Sequence, residues 1–164
     1  MRNNNEQRIR DPLHDLITFE DNGLDQVLWE AVQSRPFQRL RRVKQLGFSE
    51  LVYPGATHTR FAHSIGVYHT AKLLMKTIHK QIGNNAEFND GRRDQAIAAS
   101  LLHDLGHGPF SHAFEVVGGR MGWENAKHED TTIRIIKETE IFEILNGIGS
   151  SGFANDVAGI ISDP

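Results

Sequence analysis

A short apolar segment that ends in a histidine–aspartate pair constrains the fold of this chain more than any other feature. Residues 96–105 are apolar on nearly every face of a helix, so the helix that they predict should be buried. Gly106 and Pro109 follow and favour a helix end at this point. His103 and Asp104 therefore fall in the last predicted turn. A buried imidazole–carboxylate pair needs a partner, and a metal ion is the simplest one, because the negative end of a helix dipole also favours a cation.

The composition limits the kind of metal site that this chain can build. The 164 residues, of which 38% are hydrophobic, are enough for one domain with its own core. The sequence has no cysteine but nine histidines, so a metal would be held by nitrogen and oxygen. A net charge of −3 gives no general attraction to nucleic acid or to anionic membranes. The sequence shows neither a signal peptide nor a run long enough to span a bilayer, so we expect a cytoplasmic protein without a membrane partner.

The remaining pattern predicts an all-α domain with a short N-terminal β-strand or hairpin. Residues 1–8 are expected to form a disordered tail, and the domain is expected to occupy residues 9–164, with a strand over 16–19. Thr57 is the predicted N-cap of a long helix. The other helices are predicted over 24–32, 37–46 with Leu46 on its inner face, 109–117, about 128–146 and 153–161.

The predicted helix over 37–46 carries a run of basic residues on its outer face. The run comprises Arg35, Arg39, Arg41, Arg42 and Lys44. A solvated helix face is the ordinary explanation of such a run. The alternative is a polyphosphate site, because the forked donors of arginine suit phosphate oxygens and the rest of the chain is net negative.

Two further helices supply residues that could complete a metal and phosphate site. A lone histidine in the first turns of a helix, such as His63, is usually only packed and hydrogen-bonded, but it could provide the third ligand that the pair in the last turn of the buried helix lacks. Arg60 lies on the same helix face, so a phosphate held by Arg60 could reach a metal held by His63. His112 and Glu115 also share a face, and a carboxylate beside an imidazole raises its basicity, as proton transfer near neutral pH requires.

This inventory suits metal-assisted hydrolysis of a phosphate ester or anhydride. The metal would polarise a phosphoryl oxygen and acidify a water molecule, while arginines neutralise the developing charge. The alternative is that the histidines are ordinary core or surface residues. Imidazole with carboxylate accepts several divalent metals, so the ion could be Mn, Mg, Fe, Zn, Ni or Co.

Four longer strings resemble the HD-domain deoxynucleoside triphosphate triphosphohydrolases (dNTPases). They are DPLH at 11–14, FQRLRRVKQLG at 37–47, YPGATHTRFAHSIGV at 53–67 and LLHDLGHGPFSHAFE at 101–115. Together these strings are highly specific, whereas the histidine–aspartate doublet alone is not. The resemblance implies a helical HD fold. It also implies attack of water on the α-phosphorus of a dNTP, which releases a deoxynucleoside and inorganic triphosphate.

The same resemblance implies roles for the matching residues of the site. The implied ligands of a divalent metal ion are His63, His103 and Asp104. The residues implied around the α-phosphate are His107, His112 and His128. His112 would donate a proton to the leaving 5′-oxygen, and Glu115 would orient it together with His128. Arg60 would hold the triphosphate.

Other matching residues imply substrate and regulatory contacts. Gln45 matches a residue that contacts the sugar of the substrate. Gln38 and Arg41 match a regulatory nucleotide site that lies between subunits, which implies a homo-oligomer, either a tetramer or a dimer. Nucleic acid is not an expected partner, because the chain has an acidic balance.

The chain departs from the family pattern in three respects. The family's fourth metal ligand is an aspartate on a later helix, and neither Asp156 nor Asp163 lies in a matching context, so we expect an N-terminal fragment of a longer protein. Glu115 stands where some members have aspartate, a change of one methylene that keeps the role. Gln33 stands where those members have an acidic residue that recognises a regulatory guanine, so the activating nucleotide is not predicted.

Two other functions remain open on the sequence alone. A different HD-type reaction, on a phosphodiester or a nucleoside monophosphate, would leave the basic segment 35–44 dispensable for substrate binding. A non-catalytic module that binds nucleotides or nucleic acid through that segment would lose affinity steeply with salt and keep it without metal.

Overall fold

In the residues that the structure describes, the named elements are helices and one hairpin near the N-terminal end. The computed structural model describes residues 6–83, 88–124, 126–149 and 152–162. Strands β1 (Gln7–Asp11) and β2 (Asp15–Phe19) pair in antiparallel register, with Ile9 opposite Ile17. The predicted all-α domain with a short N-terminal hairpin is confirmed. Residues 7 and 8 belong to β1 and not to the predicted tail, and residues 1–5 of that tail lie outside the described residues.

Eight α-helices follow the hairpin in the described residues. They are α1 (Gly23–Gln33), α2 (Arg35–Gln38), α3 (Arg60–Ile82), α4 (Asp90–Leu102), α5 (His112–Arg120), α6 (His128–Glu138), α7 (Glu140–Asn146) and α8 (Phe153–Ser162). Two short 3₁₀ turns occupy Arg39–Arg42 and Ser49–Leu51. The side chain of Thr59 caps α3 by accepting from the backbone N–H of Ala62, so the predicted cap at Thr57 is wrong by two residues. None of the described helices combines the length and apolarity needed to cross a bilayer.

The core lies where α3 and α4 pack against each other and against the C-terminal helices. Contacts join α3 to α4, α4 to α8, α6 to α8 and α1 to α7. Leu101, Leu102 and Leu105 are fully buried, so the segment before and through the histidine–aspartate pair is the interior element that its composition predicts. The end of α4 is thereby fixed inside the domain.

The segment 37–46 is not the single helix that its apolar spacing predicts. The chain is extended at Val43, and Lys44 forms an isolated antiparallel bridge with Thr59. The backbone N–H of Arg60 donates to the carbonyl oxygen of Val43 at 2.8 Å. Leu46, predicted to face inward, is therefore 50% exposed. This pairing places residues 43–45 beside the start of α3.

Three helix ends also differ from the sequence prediction. Helix α4 ends at Leu102, so Asp104 lies in the turn that follows the helix and not in its last turn. Helix α5 runs through Gly118, where a Cβ atom would lie only 3.0 Å from that of Ala126; this glycine permits close packing and does not end the helix. The predicted helix over 128–146 is broken at Thr139, whose side chain caps α7.

Candidate metal and phosphate site

The turn after α4 brings two predicted metal ligands next to a third on α3. The Nε2 atom of His103 lies 3.3 Å from Oδ1 of Asp104, and the Nε2 atom of His63 lies 3.6 Å from Oδ2 of the same carboxylate. One ligand atom from each of these residues lies within 4.8 Å of the other two. The structure therefore brings together the three residues that the sequence singles out, and this group could hold a metal ion.

The protonation states of this group suit a divalent cation. The Nδ1 atom of His103 lies 2.9 Å from the carbonyl oxygen of Ser100, which requires the proton on Nδ1 and leaves the Nε2 lone pair for a metal. Burial lowers the pKa of His63, with partial opposition from Asp104, so this imidazole is neutral at pH 7. Burial also opposes ionisation of Asp104, but a hydrogen bond from His107 and nearby positive charge outweigh it and hold the pKa of this carboxyl well below its usual range. Neutral imidazoles and an ionised carboxylate are the forms that bind metal.

Arg60 lies beside this group, where its helical spacing from His63 predicts it. Its side chain is only 3% exposed. Its Nη1 atom donates to Oδ2 of Asp104 at 2.5 Å, and its Nε and Nη2 atoms donate to Oγ of Ser111 at 3.1 and 2.7 Å. Arg60 is thus held by the protein from two sides.

A second cluster of imidazoles surrounds Glu115 on α5. The Nδ1 atom of His128 lies 2.6 Å from one oxygen of Glu115, and the Nδ1 atom of His112 lies 3.0 Å from the other. The ring of the buried His107 stacks on that of His128 with centroids 3.8 Å apart, and its Nε2 atom lies 3.4 Å from Asp104. The contacts expected between Glu115 and the two histidines are therefore present, and His107 joins this cluster to the group at the end of α4.

The electrostatics of the second cluster favour an ionised carboxylate. Burial raises the pKa of Glu115, but hydrogen bonds with His112 and His128 outweigh burial and lower it. Burial lowers the pKa of His107 despite its hydrogen bond with Asp104. A carboxylate that accepts from Nδ1 of an imidazole fixes its tautomer and leaves Nε2 for chemistry.

The turn after α4 is fixed against α6 by two residues. The hydroxyl of Thr132 accepts from the backbone N–H of Gly106 at 2.8 Å and donates to the carbonyl oxygen of His103 at 3.1 Å. A Cβ atom on Gly106 would lie 2.1 Å from the carbonyl oxygen of His128. Position 106 therefore requires glycine because the backbone there lies close to α6. It does not require glycine for a left-handed conformation at a helix end, as the sequence suggests. The sequence holds no local signal for the role of Thr132.

Arg39 makes a contact that sequence reasoning missed. Its Nη1 and Nη2 atoms donate to the carbonyl oxygens of His107 and Leu105 at 2.8 and 2.5 Å. One guanidinium thus joins the 3₁₀ turn of residues 39–42 to the turn after α4. Arg39 is exposed, as an outward basic face predicts, but its guanidinium also holds the turn after α4, which that interpretation does not predict.

The rest of the basic segment is also divided among separate contacts. The guanidinium of Arg41 lies 3.5 Å from the ring centroid of Phe61, and its Nε atom donates to the side chain of Gln38 at 2.8 Å. Lys44 bonds to Glu50. Gln38 and Arg41, the predicted regulatory pair, therefore lie next to each other. Three of the five basic residues also make contacts within the domain, although all five are exposed.

An open groove of about 600 Å³ lies next to the imidazole cluster. Its lining includes Gln45, Phe48, Phe110, His112 and Trp123. The side-chain oxygen of Gln45 is buried and has no hydrogen-bond partner among the described residues. The predicted sugar contact thus lies beside the imidazole cluster, with an unused acceptor.

The described residues supply no fourth ligand for the predicted metal site. Asp156 lies exposed on α8 and accepts from Gln95 at 2.8 Å, and it belongs to none of the groups of described residues that could hold a metal. Asp163 lies outside the described residues.

Comparison with known proteins places this geometry in a family. The family model of the HD domain matches residues 60–162, which contain α3 to α8. The uncharacterized protein YwfO of Bacillus subtilis is 41% identical over 158 residues, which cover 96% of this chain and 33% of YwfO. The deoxynucleoside triphosphate triphosphohydrolase SAMHD1 of Xenopus laevis is 43% identical over 109 residues, which cover 65% of this chain and 16% of SAMHD1.

A solved structure agrees with these sequence matches. The crystal structure of a phosphohydrolase from Bacteroides thetaiotaomicron has a TM-score of 0.73 and 32% sequence identity, and the match covers 96% of this chain and 35% of that one. The chain thus spans about a third or less of the length of each of these three proteins. Because the matched region contains the pair after α4 and the histidine of α3, the chain belongs to the HD-domain family, and dNTPases are among its relatives.

Proposed function

We propose that this chain carries the site of a metal-dependent phosphohydrolase that converts dNTPs to deoxynucleosides and inorganic triphosphate. One observation carries the proposal: Asp104 contacts a potential metal-binding pair of histidines, a buried arginine and the imidazole cluster around Glu115. Metal, phosphate and proton-transfer groups therefore converge on a single carboxylate. The similarity to SAMHD1 dNTPases supports the choice of substrate.

The metal-binding role falls to His63, His103 and Asp104. They offer two imidazole nitrogens and a carboxylate oxygen, and the lowered pKa values of His63 and Asp104 favour the neutral imidazole and the ionised carboxylate that metal binding requires. A divalent ion held there would polarise a phosphoryl oxygen and acidify water. Mn, Mg, Fe, Zn, Ni and Co are all compatible with this donor set.

Arg60 binds the triphosphate in this proposal. Its guanidinium lies next to Asp104, and three of its five N–H groups are used by acceptors within the described residues. The other two can donate to phosphate oxygens and neutralise charge that develops during the reaction.

The imidazole cluster moves the proton. Glu115 accepts from Nδ1 of His112, which orients the ring and leaves Nε2 to carry a proton. The oxygen of water bonds to the α-phosphorus as the bond to the 5′-oxygen breaks, and His112 donates its proton to that leaving oxygen. The attacking water loses a proton to solvent, and His112 regains one from solvent before the next turnover. His107 and His128 lie beside the α-phosphate in this proposal, and Gln45 contacts the sugar.

Regulation and assembly are part of the same proposal. The contact between Gln38 and Arg41 keeps the two predicted regulatory residues together on one surface of the domain. A nucleotide bound there between subunits would link activity to a homo-oligomer.

Another HD-type reaction is the second candidate. Arg39, Arg41 and Lys44 each have a partner within the domain, so the basic residues of segment 35–44 can serve the fold without binding substrate. A segment that is dispensable for substrate binding is what a phosphodiester or a nucleoside monophosphate as the substrate predicts.

Product analysis separates the two candidates. The chain is incubated in separate reactions with mixed dNTPs, with mixed deoxynucleoside monophosphates and with a phosphodiester, each with Mn²⁺ or Mg²⁺ and with or without chelator, and the products are resolved by ion exchange. The proposal expects inorganic triphosphate and deoxynucleosides, which disappear with chelator and with His103→Ala but persist with His79→Ala, an exposed histidine of α3. Turnover of monophosphates or diesters without triphosphate release would establish the second candidate.

A further inference from the structure

Ser111 has a backbone conformation that serine rarely adopts. Its φ and ψ are 53° and −125°, and the preceding Phe110 also has a positive φ of 64°. The backbone N–H of Ala113 donates to the carbonyl oxygen of Phe110 at 3.1 Å and closes the turn. These angles are close to those of the first central residue of a type II′ turn, a position that favours glycine. A side chain at this position is strained, and such strain concentrates at functional sites.

The side chain of Ser111 makes the contacts that accompany this strain. The residue is 7% exposed, and its hydroxyl oxygen accepts from both Nε and Nη2 of Arg60. The same hydroxyl lies 3.4 Å from the carbonyl oxygen of Gln45, to which it donates. One hydroxyl therefore links three segments of the chain that lie around the candidate site.

Two donors on one acceptor fix the plane of the guanidinium. Nε and Nη2 form one edge of the planar group, and both point at Ser111; Asp104 accepts from Nη1 on the other side. The guanidinium cannot rotate about its own axis without breaking these bonds. One N–H on Nη1 and one on Nη2 remain without an acceptor among the described residues.

We propose that Ser111 is a positioning residue that orients Arg60 for phosphate and ties it to the segment of Gln45. The inference rests on the proposed function, in which Arg60 holds the triphosphate and Gln45 contacts the sugar. The phosphate-binding and sugar-binding parts of the site are then aligned by one buried hydroxyl.

If Ser111 served only to form the turn, Ser111→Gly would leave the orientation of Arg60 and the binding of phosphate unchanged. Glycine adopts these backbone angles without strain, so Ser111→Gly preserves or improves the turn while it deletes the hydroxyl. Ser111→Ala deletes the hydroxyl and keeps the strain. The pair separates the contribution of the backbone from that of the side chain, and Ser162→Ala, at an exposed serine of α8, is the matched control.

The test has two measurements on the same proteins. Solvent exchange of the Nε–H proton of Arg60 is followed by NMR, with the signal assigned through Arg60→Lys. Binding of inorganic tripolyphosphate is measured by calorimetry in buffer with Mg²⁺. Because a hydrogen bond to a charged group is lost, we expect about tenfold faster exchange and about tenfold weaker binding in both Ser111 variants. Ser111→Gly should unfold at no lower temperature than Ser111→Ala, and Ser162→Ala should match the wild type.

Each outcome decides a different question. If the wild type binds tripolyphosphate and Ser111→Gly binds it equally well with unchanged Nε–H exchange, the positioning role is wrong and the proposed function stands. If neither the wild type nor Arg60→Lys binds tripolyphosphate, the phosphate site itself is wrong, and the positioning role is overturned with it.

Discussion

The hydroxyl of Thr132 gives a sharp test of how the turn after α4 is held. Thr132 is fully buried, and its single hydroxyl serves both the N–H of Gly106 and the carbonyl oxygen of His103. Thr132→Val keeps the shape of the side chain and removes both hydrogen bonds. The two backbone groups of the turn then lose their partner on α6.

The expected magnitude follows from these two bonds. An unsatisfied buried donor or acceptor costs about 1–3 kcal/mol, and because the turn is only partly buried we expect Thr132→Val to lower the free energy of unfolding by about 2–4 kcal/mol. Thr132→Ser keeps the hydroxyl and loses one buried methyl group, which costs about 1 kcal/mol.

The two variants are compared by urea unfolding, followed by far-ultraviolet circular dichroism at pH 7. Thr132→Val should be the less stable by about 1–3 kcal/mol, with an unchanged dependence of free energy on urea. Equal stability of the two variants, or a more stable Thr132→Val, would refute the reasoning, because it would mean that the hydroxyl does not hold the turn.

Three further predictions concern packing, pH and a buried ion pair. Gly106→Ala should lower the free energy of unfolding by about 3 kcal/mol or more, because its Cβ would lie 2.1 Å from the carbonyl oxygen of His128; a melting temperature equal to wild type would contradict this. The lowered pKa of Glu115 means that its ionised form stabilises the fold above about pH 4.5 and that this contribution is lost as the pH falls through the folded-state pKa. The stability difference between wild type and Glu115→Gln should therefore shrink below pH 4.5, and a difference that grows with acid would show the wrong sign. Asp25→Ala removes the buried carboxylate that lies 2.5 Å from the ammonium group of Lys72, so Lys72 loses its main partner. We expect this variant to lower the free energy of unfolding in urea by about 2–3 kcal/mol, and a decrease below about 0.5 kcal/mol would contradict the reasoning.

Local spacing is enough to predict which side chains of one helix share a face at the candidate site. The intervals from Arg60 to His63 and from His112 to Glu115 each lie within one helix, where side chains three residues apart share a face. Arg60 and His63 do share a face of α3 and reach the same oxygen of Asp104, although a contact between Arg60 and Asp104 is not part of the sequence prediction. Periodicity and turn residues carry this information directly in the sequence.

Contacts between distant segments are what the sequence does not predict. Apolar spacing favours a helix over 37–46, but the bridge between Lys44 and Thr59 competes with its last turn and prevails. Arg39 reaches the carbonyl oxygen of His107, 68 residues away, and no local pattern distinguishes it from the other exposed basic residues of its segment. The role of Ser111 also cannot be predicted from the sequence, because its backbone angles and its hydrogen bond with Arg60 depend on the tertiary structure.

Metal binding by the group around Asp104 is the claim on which the proposed chemistry depends. Titration of the chain, purified without a polyhistidine tag, with Mn²⁺ in a calorimeter measures it directly. The wild type and His79→Ala should bind with the same affinity, and His63→Ala should bind at least about tenfold more weakly, because it removes one of three protein ligands. Unchanged Mn²⁺ affinity in His63→Ala would contradict the assignment of this metal site.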